Sequence, residues 1–143
     1  MTARTPRLEH ANIVASKIEP TLDFLLAAFP EWRVRGSGEG DWYGKPRRWL
    51  HVGDDDTFIT LNDDGEGSQR DPKGHASGVA HVGFVVADLD AVVARLAVKG
   101  HAPDHFGPEH PHRRNVYFYD PDGLEFEFVE YFSDKPDEKN LYV

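Results

Sequence analysis

The chain contains a weak internal repeat, which constrains its fold more than any other feature of the sequence. The segment from Arg7 to Phe29, RLEHANIVASKIEPTLDFLLAAF, aligns with the segment from Gly78 to Val98, GVAHVGFVVADLDAVVARLAV. In each copy, a short β-prone run that contains a histidine precedes an apolar stripe of helical period. Each copy therefore predicts a strand followed by a helix. The two predicted stripes consist of Leu22, Leu25, Leu26 and Phe29 in the first copy and Leu89, Val92, Val93 and Leu96 in the second.

Further β-prone segments follow each predicted helix. They read WRVRG, RRWLHVG and DTFITLN in the first half and RNVYFYD and LEFEFVEYF in the second. Each half is thus βαβββ-like, with one sheet face under its helix and the other face open. Two such units must bury their open faces against each other or around a ligand. We therefore predict an α+β fold in which two βαβββ modules form a curved sheet with a cleft.

The length of 143 residues fits one domain. Within it we place module one at about 7–62, a Gly- and Asp-rich linker at about 63–77, and module two at about 78–132. Residues 133–143 form a charged tail, which we expect to be partly ordered by Leu141 and Tyr142.

Composition excludes several classes of function. Lys and Arg total 16 against 25 Asp and Glu, a net charge of −9, which argues against nucleic-acid binding because phosphates would be repelled. No apolar run approaches the roughly 20 residues of a membrane span, and the first ten residues do not resemble a secretory leader. We therefore expect a cytoplasmic protein with no membrane partner. Because there is no cysteine, any metal must be bound by nitrogen and oxygen ligands.

Three side chains are candidates for such ligands. His10 and His81 occupy matching positions in the two first strands, and Glu127 lies in the last strand, opposite in alternation to Phe126 and Phe128. Two imidazoles and one carboxylate leave coordination positions open, which suits catalysis on a single divalent ion of Fe, Mn, Ni, Co or Zn. The alternatives are ordinary half-buried histidines and a solvated edge strand. The solvated edge accounts well for the neighbouring Glu125 and Glu130.

Three motifs carry a resemblance to a known family. YFYDPDGLEFEFVEY, LEHANIVAS and GVAHVGFVV resemble the final hairpin and the two first strands of the glyoxalase, bleomycin-resistance and extradiol-dioxygenase superfamily, also called vicinal oxygen chelate. The resemblance covers nearly all of residues 7–131. It implies that His10, His81 and Glu127 are the metal ligands, in agreement with the residue types themselves. It also implies a homodimer, for which the aromatic last strand around Phe128 and Tyr131 offers apolar surface.

The sequence departs from the glyoxalase branch of that family at one position. Glyoxalases of the superfamily usually have a fourth ligand, a glutamate in the last strand of module one, where this chain has Thr60. Threonine is a poor ligand, so the resemblance favours the three-ligand pattern of extradiol dioxygenases and fosfomycin-modifying enzymes. The run EHPHRRNVYFYDPDGLEFE also approaches the extradiol signature, although Pro108 does not fit it. Tyr117 is then the leading candidate for a hydrogen-bonding or acid role, with a packed core aromatic as the alternative.

Other candidates surround these ligands. Alternation places Arg113, Asn115, Tyr117 and Tyr119 on the cleft side of their strand, as substrate-binding candidates, with Val116 and Phe118 under the helices.

The run HPHRR and the pair Trp49 and His51 supply the remaining candidates. His110 and His112, together with Arg113, could bind a carboxylate, phosphate or phenolate substrate and serve in proton transfer; the alternative is a solvated loop. Trp49 could line a pocket in which His51 acts as a base, or His51 could be a surface histidine.

These observations predict a metalloenzyme that binds a small substrate through vicinal oxygens, closer to an extradiol dioxygenase than to glyoxalase I. The alternative is a metal-free binding protein of the bleomycin-resistance type that sequesters an aromatic molecule. The presence of all three candidate ligands disfavours this alternative.

Overall fold

A computed structural model describes residues 5–143 of the chain. The first half forms a four-stranded sheet with one helix. The strand order is β1-β4-β3-β2, with β1 parallel to β4 and the other pairs antiparallel. The elements are β1 His10–Val14, α1 Ile18–Ala28, β2 Arg33–Trp42, β3 Lys45–Gly53 and β4 Phe58–Asn62.

The second half repeats this arrangement with strand order β5-β8-β7-β6, in which β5 is parallel to β8. Both halves are therefore βαβββ units, as the repeat predicts, and the α+β class is confirmed. A third, one-turn helix follows the last strand. The elements are β5 Val82–Val85, α2 Leu89–Val98, β6 His105–Phe106, β7 Arg113–Tyr119, β8 Glu125–Tyr131 and α3 Pro136–Lys139.

The predicted stripes of both helices face the core. Five of their residues are buried (Leu25, Phe29, Leu89, Val92 and Leu96) and three are half-buried (Leu22, Leu26 and Val93). Phe24, which the first predicted stripe omits, is fully buried, and its ring lies 5.5 Å from Phe126 and 6.1 Å from Phe118. Helix α1 of module one thus packs on the sheet of module two. The predicted strand faces are confirmed, since Val116, Phe118, Phe126 and Phe128 are all fully buried.

Capping groups from distant parts of the chain fix both helix starts. Asp63 Oδ1 accepts a hydrogen bond of 3.0 Å from the backbone N–H of Ile18 at the start of α1. Asp88 caps α2 by accepting from Ala91 N at 3.0 Å, and Glu130 Oε1 accepts from Leu89 N at 2.9 Å. Glu130 therefore has a structural role, and its interpretation as a solvating edge residue is wrong.

The turn between β7 and β8 is held by a buried carboxylate. Asp120 accepts hydrogen bonds from the backbone N–H groups of Asp122 and Leu124 and from the hydroxyl of Thr21 in α1. Burial nevertheless raises the pKa of Asp120, because desolvation disfavours its charged form. The turn that orients β8 is in this way tied to the helix of the other module.

Two elements differ from the sequence prediction. β2 continues through the glycine-rich segment to Trp42, where a two-residue turn, Tyr43–Gly44, joins it to β3. Both turn residues have positive φ, 51° and 85°, as a tight hairpin turn requires. The short strand β6 was not predicted.

The outer surface of the sheets differs from expectation at one residue. Phe128 is fully buried, so it cannot belong to the exposed aromatic surface that we predicted for a dimer. The exposed apolar side chains include instead Val85 of β5, at 71%, and Val14 of β1, at 40%. Both strands lie at sheet edges. No helix among residues 5–143 combines the length and the apolar character that crossing a membrane requires.

Candidate functional site

The open face of the second sheet brings His81 and Glu127 together. His81 directly precedes β5, and Glu127 lies in the adjacent strand β8, opposite Gly83. The two side chains meet at 3.0 Å between His81 Nε2 and Glu127 Oε2. A side chain at Gly83 would begin 3.7 Å from Glu127 Oε2, so the glycine keeps this face open.

Hydrogen bonds from β7 orient the Glu127 carboxylate. Asn115 Nδ2 donates to Glu127 Oε1 at 2.8 Å and to the Tyr117 hydroxyl at 3.2 Å. Burial raises the pKa of Tyr117, and the nearby charge of Glu127 adds to this effect. The Tyr117 hydroxyl therefore stays protonated at neutral pH and can donate a hydrogen bond.

Glu125 completes the surroundings of His81. Its side chain is only 10% exposed, and its Oε1 lies 3.5 Å from His81 Nδ1. The interpretation of Glu125 as a solvating residue is therefore wrong. Carboxylates that contact the second ring nitrogen commonly orient histidines that bind metals.

The structure adds His105 to this cluster, a residue that the sequence prediction missed. Its ring stacks on Tyr117 with a centroid separation of 4.3 Å and an angle of 9°. His105 Nδ1 lies 2.7 Å from Asp104 Oδ2, and this contact lowers the pKa of Asp104. The only signal in the sequence is the Asp-His pair in a two-residue strand, which is too short to show alternation.

Tyr119 lies farther along the same face of β7. Burial raises its pKa, with a further contribution from the charge of Asp104, and the Lys73 ammonium lies 5.8 Å from its ring centroid. Tyr119 and Tyr117 thus both flank the Asp104–His105 pair.

His10 lies on the open face of the other sheet. Its ring stacks on Phe58 at 4.8 Å, and its Nδ1 lies 2.9 Å from Glu9 Oε1, which leaves Nε2 as the nitrogen available to a ligand. This pattern matches the carboxylate-oriented histidines of metal sites. No contact joins His10 to His81 or Glu127 among the described side chains.

His51, Trp49 and Thr60 share that open face with His10. His51 is half-buried, pairs in register with Thr60 and lies 5.1 Å from the Trp49 ring. Burial lowers the pKa of His51, and the positive charge of Arg35 lowers it further. Thr60 lies between His51 and Asn12, so no carboxylate occupies this part of β4.

The HPHRR run contacts the C-terminal segment of its own chain. His110 Nε2 lies 2.9 Å from the Leu141 carbonyl oxygen, and Arg113 Nη1 donates to the Lys139 carbonyl at 3.1 Å. His112 Nδ1 lies 3.7 Å from Glu138 Oε2. These contacts join the run to the tail, and they occupy polar atoms that we predicted to face a substrate. His110, Arg113 and Asn115 nevertheless line a common cavity of about 540 Å³.

Within one chain, the predicted ligands form only part of a divalent-metal site. An imidazole and a carboxylate at 3.0 Å are suitable nitrogen and oxygen donors. Across residues 5–143, however, no group of three or more His, Asp or Glu side chains is placed to bind one ion. One chain thus supplies two converging donors, His81 and Glu127, while His10 lies apart from them.

A second cavity lies away from this pair. It measures about 600 Å³ and lies between the edge strands β1 and β5. Its lining combines aromatic side chains, among them Phe29, Trp32 and Phe84, with charged ones such as Glu31 and Arg95. His10 is the one predicted ligand that lines it. The His81–Glu127 face is the better candidate site, because the side chains of His81, Glu127, Glu125 and Tyr117 lie together there.

Comparison with known families gives one match. A sequence model described as the Glyoxalase/Bleomycin resistance protein/Dioxygenase superfamily matches residues 7–128. A search of curated proteins found no match.

Several solved structures are similar in fold. A glyoxalase family protein from Bacillus cereus has a TM-score of 0.73 at 17% identity and covers 92% of this chain and 97% of its own. A glyoxylase/bleomycin resistance protein/dioxygenase domain from a Frankia species has a TM-score of 0.72 at 19% identity, covering 97% and 100%. A mutant of the fosfomycin resistance protein FosX from Listeria monocytogenes has a TM-score of 0.69 at 19% identity, covering 95% and 98%. That protein was solved with Mn(II) and 1S,2S-dihydroxypropylphosphonic acid.

Proposed function

Because the chain belongs to the Glyoxalase/Bleomycin resistance protein/Dioxygenase superfamily, we propose that it is a divalent-metal-dependent enzyme that binds a small substrate through two neighbouring oxygen atoms. The observation that carries this proposal is the 3.0 Å approach of His81 Nε2 to Glu127 Oε2 on an open sheet face. Imidazole and carboxylate together suit Fe, Mn, Co, Ni or Zn. The FosX mutant, solved with Mn(II) and a vicinal diol, supports the same class of ligand.

The third ligand in this proposal is His10 of a second copy of the chain. His10 is exposed, has its Nδ1 beside Glu9 and keeps Nε2 available. It occupies the position in β1 that is equivalent to His81 in the repeat. Since His10 joins neither His81 nor Glu127 within one chain, a second copy is the simplest source of a third donor.

A homodimer follows from this arrangement. β1 and β5 are both edge strands, and they carry the exposed side chains of Val14 and Val85. Unpaired edges with apolar side chains favour pairing with another chain. Charge supports the same pairing, because one open face carries the Arg35 guanidinium while the other carries the carboxylates of Glu125 and Glu127.

When bound, the metal would polarise the two substrate oxygens and stabilise negative charge on them. The chain's own groups bind and orient the substrate. The protonated Tyr117 hydroxyl donates a hydrogen bond to it, and Asn115 fixes the Glu127 carboxylate. Asp104 holds Nδ1 of His105, which leaves Nε2 to accept a substrate proton.

Within the superfamily, we propose chemistry closer to extradiol dioxygenation than to the glyoxalase I reaction. The reason is Thr60, which pairs in register with Asn12 and His51 at the strand position where a ligand glutamate would be expected. Trp49 and His51 on the same face remain candidates for contact with substrate.

Metal analysis of protein purified without chelators tests the proposal. We expect about one divalent ion per chain, because three donors define one open site. His10→Ala, His81→Ala and Glu127→Ala should each lose the ion. His75→Ala is the matched control, since His75 is an exposed linker histidine outside the cluster. Wild-type metal content in any of the three ligand variants would contradict the assignment.

The rival function is a metal-free protein that sequesters an aromatic molecule. The observation in its favour is the cavity of about 600 Å³ between β1 and β5, whose lining includes the aromatic side chains of Phe29, Trp32 and Phe84. A purified protein that takes up no Mn, Fe, Co, Ni or Zn but binds an aromatic dye at that cavity would favour the rival.

A further inference from the structure

One guanidinium and two imidazole rings surround the Phe58 ring on the open face of the first sheet. The Arg35 guanidinium carbon lies 4.2 Å from the ring centroid. The His51 ring stacks at 4.6 Å and the His10 ring at 4.8 Å. Phe58 itself is only 5% exposed, so these three groups cover it almost completely.

A β-bulge directs Arg35 to this position. The register of β2 against β3 shifts between Val34 and Gly36, which leaves Arg35 as the extra residue. Bulges of this kind re-aim one side chain and often lie next to active sites.

The Arg35 guanidinium differs from its neighbours in having no acidic partner. Arg33 pairs with Asp55, Arg7 with Asp56, and Arg48 with Glu19 and Asp63. Within residues 5–143, no carboxylate lies within 4 Å of Arg35. A guanidinium stacked on an aromatic face keeps its edge N–H groups free, and those groups match the two oxygens of an anion.

We propose that Arg35 and His51, on the Phe58 ring, bind an oxyanion group of the substrate, so that the substrate is a small acid rather than a neutral molecule. This inference rests on the proposed function, because His10 contacts the same ring and would place the anion beside the metal. Arg35 would supply a bidentate contact and His51 one further hydrogen bond. The chain has a net charge of −9, which repels anions in general. The positive charge of Arg35 offsets this repulsion locally and so favours an anion at this site.

Three probes separate the anion site from metal chelation. Catechol carries two neighbouring oxygens and no further charge, whereas 2,3- and 3,4-dihydroxybenzoate add a carboxylate. Dissociation constants for all three are measured with the metal-loaded protein. We expect at least one dihydroxybenzoate to bind about tenfold more tightly than catechol, the size of one charge-assisted contact at a partly solvated site.

Variants of Arg35 then test the assignment. Arg35→Gln should remove the preference for the carboxylate without changing catechol affinity or metal content. Arg35→Lys keeps the positive charge but lacks the paired N–H donors of a guanidinium, so it should retain part of the preference. Arg47→Gln is the matched control, because Arg47 also lies over an aromatic ring, 4.1 Å from Trp42, without a carboxylate partner.

The outcomes are distinct. A preference for the dihydroxybenzoates that survives Arg35→Gln, or no preference in the wild type, overturns the anion site while the metal enzyme stands. If the metal-loaded wild type binds neither catechol nor either acid, the proposed function and the anion site are overturned together. Circular dichroism of each variant verifies that a lost preference does not reflect a lost fold.

Discussion

His81 Nε2 lies 3.0 Å from Glu127 Oε2, across the neighbouring parallel strands β5 and β8. This contact is local to one module, and it places two metal-compatible donors on a face that its own helix leaves open. The repeat-related histidine, His10, lies on the other sheet beside Glu9 and Phe58.

Mixing two variants that each fail to bind metal should restore some of the metal sites. His10→Ala and His81→Ala each lack one proposed ligand, but a mixed dimer contains one intact site, formed by His10 of one chain and His81 with Glu127 of the other. Equal mixing by unfolding and refolding together gives about half mixed dimers, so about a quarter of wild-type metal should return. If the mixture binds no more metal than the separate variants, the ligands do not come from two chains.

The wild-type protein should have the mass of a dimer by light scattering at micromolar concentration. Val85→Glu should shift it to monomer, because a carboxylate on the exposed edge strand β5 would be desolvated on pairing. Val98→Glu is the control, since Val98 is even more exposed, at 83%, and lies at the end of α2. A dimer that tolerates the change at Val85 would move the interface elsewhere.

Turnover of the methylglyoxal–glutathione adduct should be weak with Ni, Co, Zn or Mn. Thr60 provides neither a ligand nor a base at neutral pH, and loss of a general base commonly lowers the rate by about 10²- to 10⁴-fold. Robust turnover with any of these metals would show that another residue, such as His51, serves as the base.

Gly107→Ala should weaken metal binding without touching a ligand. A Cβ at Gly107 would lie 1.9 Å from Asn115 Oδ1, so the amide that donates to Glu127 must move. Loss of such an orienting contact commonly costs about 10- to 100-fold in metal affinity. Gly40→Ala is the control, because no atom lies within 4 Å of its added Cβ. Equal affinity in both variants, measured by competition with a metal indicator, would exclude an orienting role for Asn115.

Asp63→Asn should lower stability by about 1 kcal/mol at neutral pH. Burial alone would raise the pKa of Asp63, but Arg48 and backbone N–H groups outweigh it and lower the pKa overall. A carboxyl group with a lowered folded-state pKa stabilises above its unfolded pKa of about 4, and this contribution disappears as pH falls through the folded value. Urea unfolding at fixed protein concentration should therefore separate variant from wild type at pH 7, and the difference should shrink as the pH falls below about 4. Asp134→Asn, an exposed control, should show no difference at pH 7.

Much of the fold could be predicted because alternation and helical period are local signals. Val116 and Phe118 are buried and Asn115 and Tyr117 are not, as a period of two requires. The same rule placed Glu127 on the open face.

The features that the sequence did not predict depend on contacts between residues far apart in the chain. Arg35 reaches Phe58 through a bulge, and β6 is too short to show alternation, so neither Arg35 nor His105 was identified from the sequence. His110 and Arg113 looked available for substrate because their contacts, at Lys139 and Leu141, lie 26 or more residues away.

The placement of His10 and His81 on separate sheets has a consequence for how the protein behaves on dilution. If each site needs two chains, the number of complete sites follows the dimer population, so metal content per chain falls once the protein is diluted below its dissociation constant. Specific activity would then decline at low expression levels even with every residue intact. The total activity in a cell would then rise faster than linearly with the concentration of the chain.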